Sequence, residues 1–258
     1  MGIVIKTKDE IETMKRSCRL AADVLVMIEP HIKVGITTLE IDQICHDFII
    51  ENGAIPSCLN YKGYPKSTCT SVNHVVCHGI PDAYRLREGD IINVDVTTFL
   101  DGFHGDNSKT YLVGKTSRAA RDIVQAAEDA MWAGIRAVKP GATFGDLGFA
   151  VQSFVEAKGY SVVREYGGHG IGRVFHEDPH VAHFGRKGTG PKILPGMVFT
   201  VEPMVNQGKR EVILLEDDWT VETEDEKLSA QFEHTIAVHD DGVEVLTFPS
   251  NHVGSRFV

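Results

Sequence analysis

Two parts of this sequence repeat one another in order, and that repetition constrains the fold more than any other feature. Lys33-Val34-Gly35-Ile36-Thr37 matches Lys139-Pro140-Gly141-Ala142-Thr143 at an offset of 106, and Asn52-Gly53 matches Lys158-Gly159 at the same offset. The run from Leu86 to Asp95 matches that from Leu194 to Glu202, with Gly89 on Gly196 and Asp95 on Glu202, both offset by 107. A helix, loop, helix and strand recurring in one order argue for an internal duplication. The expected molecule is one domain of 258 residues built from two similar halves, about 1–113 and 114–258. Packing them about a pseudo-two-fold axis sets Asp95 and Glu202 face to face. It also brings together His78-Gly79-Ile80 and His169-Gly170-Ile171, which correspond at an offset of 91. Clefts between packed units are favoured ligand sites.

Within the first half, a β-branched run ends at Asp101-Gly102 and a second run continues through Lys109-Thr110-Tyr111-Leu112-Val113. This pattern predicts a two-residue hairpin. Its register sets Asp106 opposite Thr97, on the face that Asp95 shares, because side chains alternate along a strand. Two aspartates would then meet on one face, in want of a cation. Upstream, apolar spacing from Thr7 to Ile28 predicts a helix opened by a capping box of Thr7 and Glu10. A second helix runs from about Thr37 or Thr38 to Asn52-Gly53, and a third helical pattern covers about Ser117 to Val138. Residues 54–81 read as an irregular, pocket-like loop, and Ser229 to Val238 as one strand. Read alone, Glu233 on the polar face of that strand is a solvated carboxylate. Glu202, between Val201 and Pro203, has apolar neighbours and needs a positive partner.

Composition narrows the classes. A formal charge of −10 excludes a general polyanion-binding surface, and the Gly185-Arg186-Lys187-Gly188 cluster reads as a solvated loop. No apolar run approaches membrane-spanning length, and the N-terminal lead lacks the pattern of a signal peptide. Five cysteines (Cys18, Cys45, Cys58, Cys69 and Cys77) include no Cys-x-x-Cys, so they read as buried or pocket-lining thiols of a cytoplasmic protein. His176-Glu177-Asp178-Pro179-His180 matches H-E-x-x-H, but Pro179 would interrupt the helix which that zinc motif requires.

Several motifs together resemble one family across essentially the full length. They are Asn60-Tyr61-Lys62-Gly63-Tyr64-Pro65-Lys66-Ser67, Val76-Cys77-His78-Gly79-Ile80-Pro81, the Asp95 and Asp106 hairpin, Gly167-Gly168-His169-Gly170-Ile171-Gly172, Phe175-His176, Phe199-Thr200-Val201-Glu202-Pro203 and Ala230-Gln231-Phe232-Glu233-His234-Thr235. The chain resembles the type I methionine aminopeptidases, of the pita-bread metallohydrolase family. That resemblance implies an α+β pita-bread fold, with two pseudo-two-fold-related halves and a central antiparallel sheet covered by helices. It implies metal ligands Asp95, Asp106, His169, Glu202 and Glu233. Four carboxylates and one imidazole suit two divalent ions such as Co, Mn, Fe or Zn, and four clustered anions need such cations.

The implied reaction is hydrolysis of the initiator methionine from peptides and nascent proteins whose second residue is small, by a metal-bound water attacking the scissile carbonyl. The family roles fall on His78, His176 and Glu202: His78 donates to the substrate amide nitrogen or the tetrahedral intermediate, His176 to the scissile carbonyl oxygen, and Glu202 shuttles the proton. Cys58, Tyr61, Tyr64, Cys69, Phe175 and Trp219 match the methionine pocket, and Asn73, Val75 and Ser229 match positions where the family can hold a monovalent cation, Na or K. Transient ribosome association is expected, without sequence-specific nucleic-acid binding or a membrane. Prolidases and proline aminopeptidases share the ligands but carry a large N-terminal domain, for which the lead before Thr7 leaves no room. The type II methionine enzymes insert a helical segment between the two glutamate ligands, which are only 31 residues apart here. A catalytically silent binding module is disfavoured by the intact ligand set and both histidines.

Overall fold

The computed structural model describes residues 2–258. Helix α1 (Lys8–Ile28) begins at the anticipated capping box, where the Thr7 hydroxyl accepts from the Glu10 amide and the Glu10 carboxylate accepts from the Thr7 amide. These bonds satisfy two amides that a helix start otherwise leaves free. One face of α1 buries Ile11, Met14, Cys18, Ala21, Leu25 and Ile28. Each large side chain so buried contributes about 1.5–3 kcal/mol. Helix α2 (Thr38–Glu51) has the same box at Thr37 and Glu40 and ends at Asn52, with Gly53 at φ 75°.

Residues 54–81 are more regular than their composition suggests. They hold the short strands β1 (Ile55–Pro56), β2 (Cys69–Val72) and β3 (Val75–Cys77). Strands β1 and β2 pair with one edge of the long strand β4 (Ile91–Leu100). Backbone pairing along β4 therefore orders a segment whose side chains give little periodic signal. Strand β5 (Phe103–Leu112) returns along the other edge of β4 with Thr97 opposite Asp106, as the hairpin reading requires. Asp101 (φ 54°) and Gly102 (φ 82°) both take the left-handed conformation of a type I′ turn, whose twist suits the flanking strands.

The order then recurs. Helix α3 (Arg118–Ala137) is capped by Ser117, and α4 (Phe144–Ala157) by a box of Thr143 and Asp146. After them come β6 (Ser161–Val162), β7 (Gly168–Gly170), β8 (Glu177–Val181), β9 (Val198–Val201), β10 (Met204–Asn206), β11 (Val212–Leu214), β12 (Val221–Thr223), β13 (Ser229–Gln231), β14 (Glu233–His239) and β15 (Gly242–Val245). The run from Ser229 to Val238 is thus two strands, not one. It breaks at Phe232, so that β13 joins β10 while β14 enters the main sheet. Among the described residues that sheet has nine strands, in the order β1-β4-β5-β14-β9-β7-β8, with β2 beside β4 and β15 beside β14. The pairings within it are antiparallel, and β5 against β14 joins the strands on either side of the chain's midpoint.

Helices pack on one side of the sheet. The α1 face meets β4 and β5 closely: a methyl group at Gly105 would lie 2.4 Å from the Cys18 backbone nitrogen. The larger core lies beneath α3 and α4, around Ile123, Met131, Leu147, Phe199, Val201 and Ile236. All five cysteines are buried and unpaired.

Candidate metal centre

On the face of the sheet away from α1 and α3, the strand termini and loops enclose a cavity of about 360 Å³. Asp95, Asp106, His169, Glu202 and Glu233 line it, with His78, His176 and the predicted pocket residues Cys58, Tyr61, Tyr64, Cys69, Phe175 and Trp219. Asp95 and Asp106 project from β4 and β5. His169 projects from β7, Glu202 from the position after β9, and Glu233 from the start of β14. One ligand atom from each of Asp106, His169 and Glu233 lies within 4.8 Å of the others. His169 Nε2 is 3.6 Å from Asp106 Oδ2 and 3.8 Å from Glu202 Oε1. The solvated reading of Glu233 is overturned, since the residue is only 2% exposed. The face that Glu233 shares with Gln231 is itself turned to the cavity rather than to solvent.

Asp106, Glu202 and His169 are held by their neighbours. Thr97 Oγ1 donates to Asp106 Oδ1 at 2.7 Å, and Thr200 Oγ1 donates to Glu202 Oε1 at 2.8 Å. Gln231 Nε2 donates to Glu202 Oε2 at 3.1 Å, and the Glu202 amide donates to His183 Nε2 at 3.0 Å. His169 Nδ1 lies 3.0 Å from the Gly170 carbonyl, to which it donates, leaving Nε2 turned toward the carboxylates. Burial, reinforced by Asp106, raises Asp95 and Glu233 well above the usual carboxylate range. Glu202 is pushed up to about 7 by burial and the charge of Asp106, against the pull of His169. His169 is raised: burial works against its charge, but Asp106 and Glu202 outweigh it.

These residues fit a divalent metal on two independent grounds. Asp95 Oδ1 and Glu233 Oε1 are buried without a hydrogen-bond partner, although buried oxygens ordinarily find one. The four converging carboxylates repel one another, and a cation relieves that repulsion. The donor set is oxygen-rich with one imidazole and no thiolate, which suits hydrolytic rather than structural metals. H-E-x-x-H is not such a site here, because Glu177–Val181 is strand β8, not helix.

Gln231 escaped the sequence reading as a counterpart of Asp106, which has no partner by simple offset. Strand register reveals the relation. Asp95 faces Ser108 across β4 and β5, while Ser108 faces Glu233 across β5 and β14. Laying Asp95 on Glu202 carries Ser108 onto Glu233 and Asp106 onto Gln231. Matching bonds support the overlay: Thr110 Oγ1 donates to the Gln231 carbonyl at 2.7 Å, and Thr235 Oγ1 to that of Asp106 at 2.8 Å. Met204, Glu165 and Tyr166 also line the cavity without having been singled out, and so do Lys62 and His180, named above only within motifs. Loop and strand-end positions of this kind have no periodicity to betray them.

Asn73, Val75 and Ser229 lie outside this cavity. The Ser229 amide donates to the Asn73 carbonyl at 2.9 Å, and the Asn73 side chain is engaged by Asp90 and the Ile91 amide.

The chain matches the model of metallopeptidase family M24 over residues 12–240. This chain belongs to metallopeptidase family M24. It is 53% identical over 249 residues to a methionine aminopeptidase of Escherichia coli K12, covering 96% of this chain and 94% of that protein. The crystal structure of a methionine aminopeptidase from Rickettsia prowazekii superposes with a TM-score of 0.95 at 51% identity, covering 96% of this chain and all of that one. One from Thermotoga maritima gives 0.93 at 38% identity, covering 95% and 99%. The α+β architecture described above is the pita-bread fold of this family, and M24 membership brings with it the use of divalent metal.

Proposed function

We propose that this chain is a metal-dependent aminopeptidase that hydrolyses the N-terminal methionine from peptides and nascent proteins whose second residue is small. The observation carrying this reading is the convergence of four carboxylates and one imidazole beside an apolar cavity wall. Asp95, Asp106, His169, Glu202 and Glu233 would hold two divalent ions drawn from Co, Mn, Fe or Zn. When bound, such ions supply Lewis acidity and make water nucleophilic near neutral pH.

The remaining steps fall to side chains. Cys58, Tyr61, Tyr64, Cys69, Phe175 and Trp219 enclose the methionine side chain in soft, apolar surroundings. Tyr64 is rigid there, its hydroxyl 3.0 Å from the carbonyls of both Thr68 and Gly79. Burial lowers His78 to about 4. His176 is lowered to about 2 by desolvation and the neighbouring His169. Both imidazoles are therefore neutral at pH 7, and each offers one N–H donor without carrying charge. His78 donates to the departing amide nitrogen and His176 to the scissile carbonyl oxygen as it gains charge. Glu202 takes the proton of the attacking water and passes it to the leaving amine.

Residues 1–258 act as one catalytic domain made of two halves, 1–113 and 114–258. No described helix is long and apolar enough to cross a membrane, and the acidic, cysteine-unpaired chain suits a cytoplasmic enzyme that visits ribosomes transiently. Asn73, Val75 and Ser229 would supply a monovalent cation site, Na or K, bordering the catalytic strands.

Metal-reconstituted protein should release methionine from Met-Gly-x peptides and far less from Met-Phe-x. No release from Met-Gly-x with any of the four metals would sink the reading. Asp95→Ala should lose bound metal, whereas His78→Ala should keep metal and lose rate. Equal metal loss in both would contradict the roles.

A further inference from the structure

The imidazole of His176 makes no hydrogen bond among the described residues. Its ring is set only by neighbours: His169 at 4.0 Å between centroids, Phe175 at 4.2 Å and Tyr61 at 5.2 Å. A donor so loosely oriented depends on the backbone that carries it. That backbone is the turn from Gly172 to Glu177, which lies outside regular structure until β8 begins at Glu177.

The turn is held from an unexpected direction. Glu177 Oε1 accepts from the Val174 amide at 3.3 Å, closing the turn on itself. Its other oxygen, Oε2, accepts from the ammonium of Lys6, which belongs to the extended lead before α1. The Lys6 side chain is 2% exposed and that of Glu177 is 9% exposed, so the ion pair is nearly dry. The Lys6 amide also donates to the Gly196 carbonyl at 2.7 Å, which fixes the lead against the loop preceding β9. From the other side, the His104 amide donates to the Gly172 carbonyl at 2.8 Å, and the His104 ring stacks on Phe175 at 5.4 Å.

We propose that Lys6 is a positioning residue for the hydrolysis: through Glu177 it fixes the turn that presents His176 to the scissile carbonyl and Phe175 to the methionine side chain. The proposal rests on the aminopeptidase reading above. Buried ion pairs are poor sources of stability, and in some proteins they serve instead to fix one geometry. A displacement of about 1 Å at a positioned donor can cost about 100-fold in rate.

The test is a double-mutant cycle between Lys6→Met and His176→Ala, read as kcat and KM on a Met-Gly-x peptide with matched metal content. Lys6→Met should lower kcat on the order of 10- to 100-fold with a smaller change in KM. In that background His176→Ala should cost much less than it does alone, because the donor is already misplaced. If the two losses simply multiply, or if Lys6→Met leaves kcat within about two-fold, the proposal is overturned. Should Lys6→Met fail to fold, Glu177→Gln takes its place in the same cycle. It keeps an acceptor for the Val174 amide and removes only the charge that Lys6 meets. Lys6→Met/Glu177→Leu separates packing from positioning: it should recover thermal stability without recovering kcat. Recovery of both would make the pair structural only and overturn the proposal. Wild-type protein that releases no methionine would instead refute the parent reading, a distinguishable result.

Discussion

Thr97 and Thr200 each place a hydroxyl on a candidate ligand, Asp106 and Glu202, and so restrict the directions those carboxylates can face. Thr97→Val should weaken divalent-metal affinity roughly 10- to 100-fold, the usual effect of removing a partner that orients a ligand. Titration calorimetry measures this, and unchanged affinity would refute the orienting role. At this scale, legibility in the sequence followed local motif. Asp95 and Asp106 were readable because a two-residue turn fixes the register of everything beyond it. Glu233 was misread as solvated when considered alone, because alternation assigns a residue to a face and not that face to the interior. Gln231 was hidden because its relation to Asp106 runs through hydrogen-bonded strand neighbours, which a linear offset does not follow.

Among elements, the contact of α1 with the hairpin sets where the acidic strands lie. A methyl group at Gly105 would meet the backbone of Cys18 and the carbonyl carbon of Ser17, at 2.4 and 2.6 Å, and neither can rotate away. Gly105→Ala should therefore destabilise the protein by about 1–3 kcal/mol, by forcing helix and strand apart. A denaturant midpoint unchanged from wild type would show that the helix yields freely. The first helix and its cap were plain from Thr7 and Glu10, and the helical runs opening near Thr37 and Ser117 from apolar spacing, since capping chemistry and spacing are both local; the caps at Thr37, Ser117 and Thr143 emerged only with the structure. The strands β1, β2 and β3 were not plain, because they are short and owe their existence to the edge of β4 and to β12, far along the chain.

For the whole molecule, protonation would compete with the proposed metal binding for the same carboxylate oxygens. Asp95, Glu202, Glu233 and His169 have folded-state pKa values above their ordinary ones, so the stability linked to their protons is present at low pH and lost as pH rises through those values. His78, His104, His183 and His234 are depressed to between about 3 and 4, so their contribution is present above 6.5 and lost as pH falls toward those values. Above pH 6.5 the contribution of those four histidines is constant, and the first group, joined at the top of the range by the five buried cysteines whose thiols burial also raises, lowers stability as pH rises. Metal-stripped protein should melt at progressively lower temperature from pH 6.5 to 8.5, and protein saturated with a divalent ion should not. A rise in the melting temperature of the stripped protein over that interval would contradict the assignment. The duplicated order of elements made two similar halves legible, whereas the central antiparallel sheet covered by helices was implied by the family resemblance. The seam of β5 on β14 also governs when the candidate site is complete. Asp95 and Asp106 are in place early in the chain, but the cluster lacks Glu233 until β14 docks. A chain in which β14 has not docked on β5 therefore holds only part of the candidate ligand set.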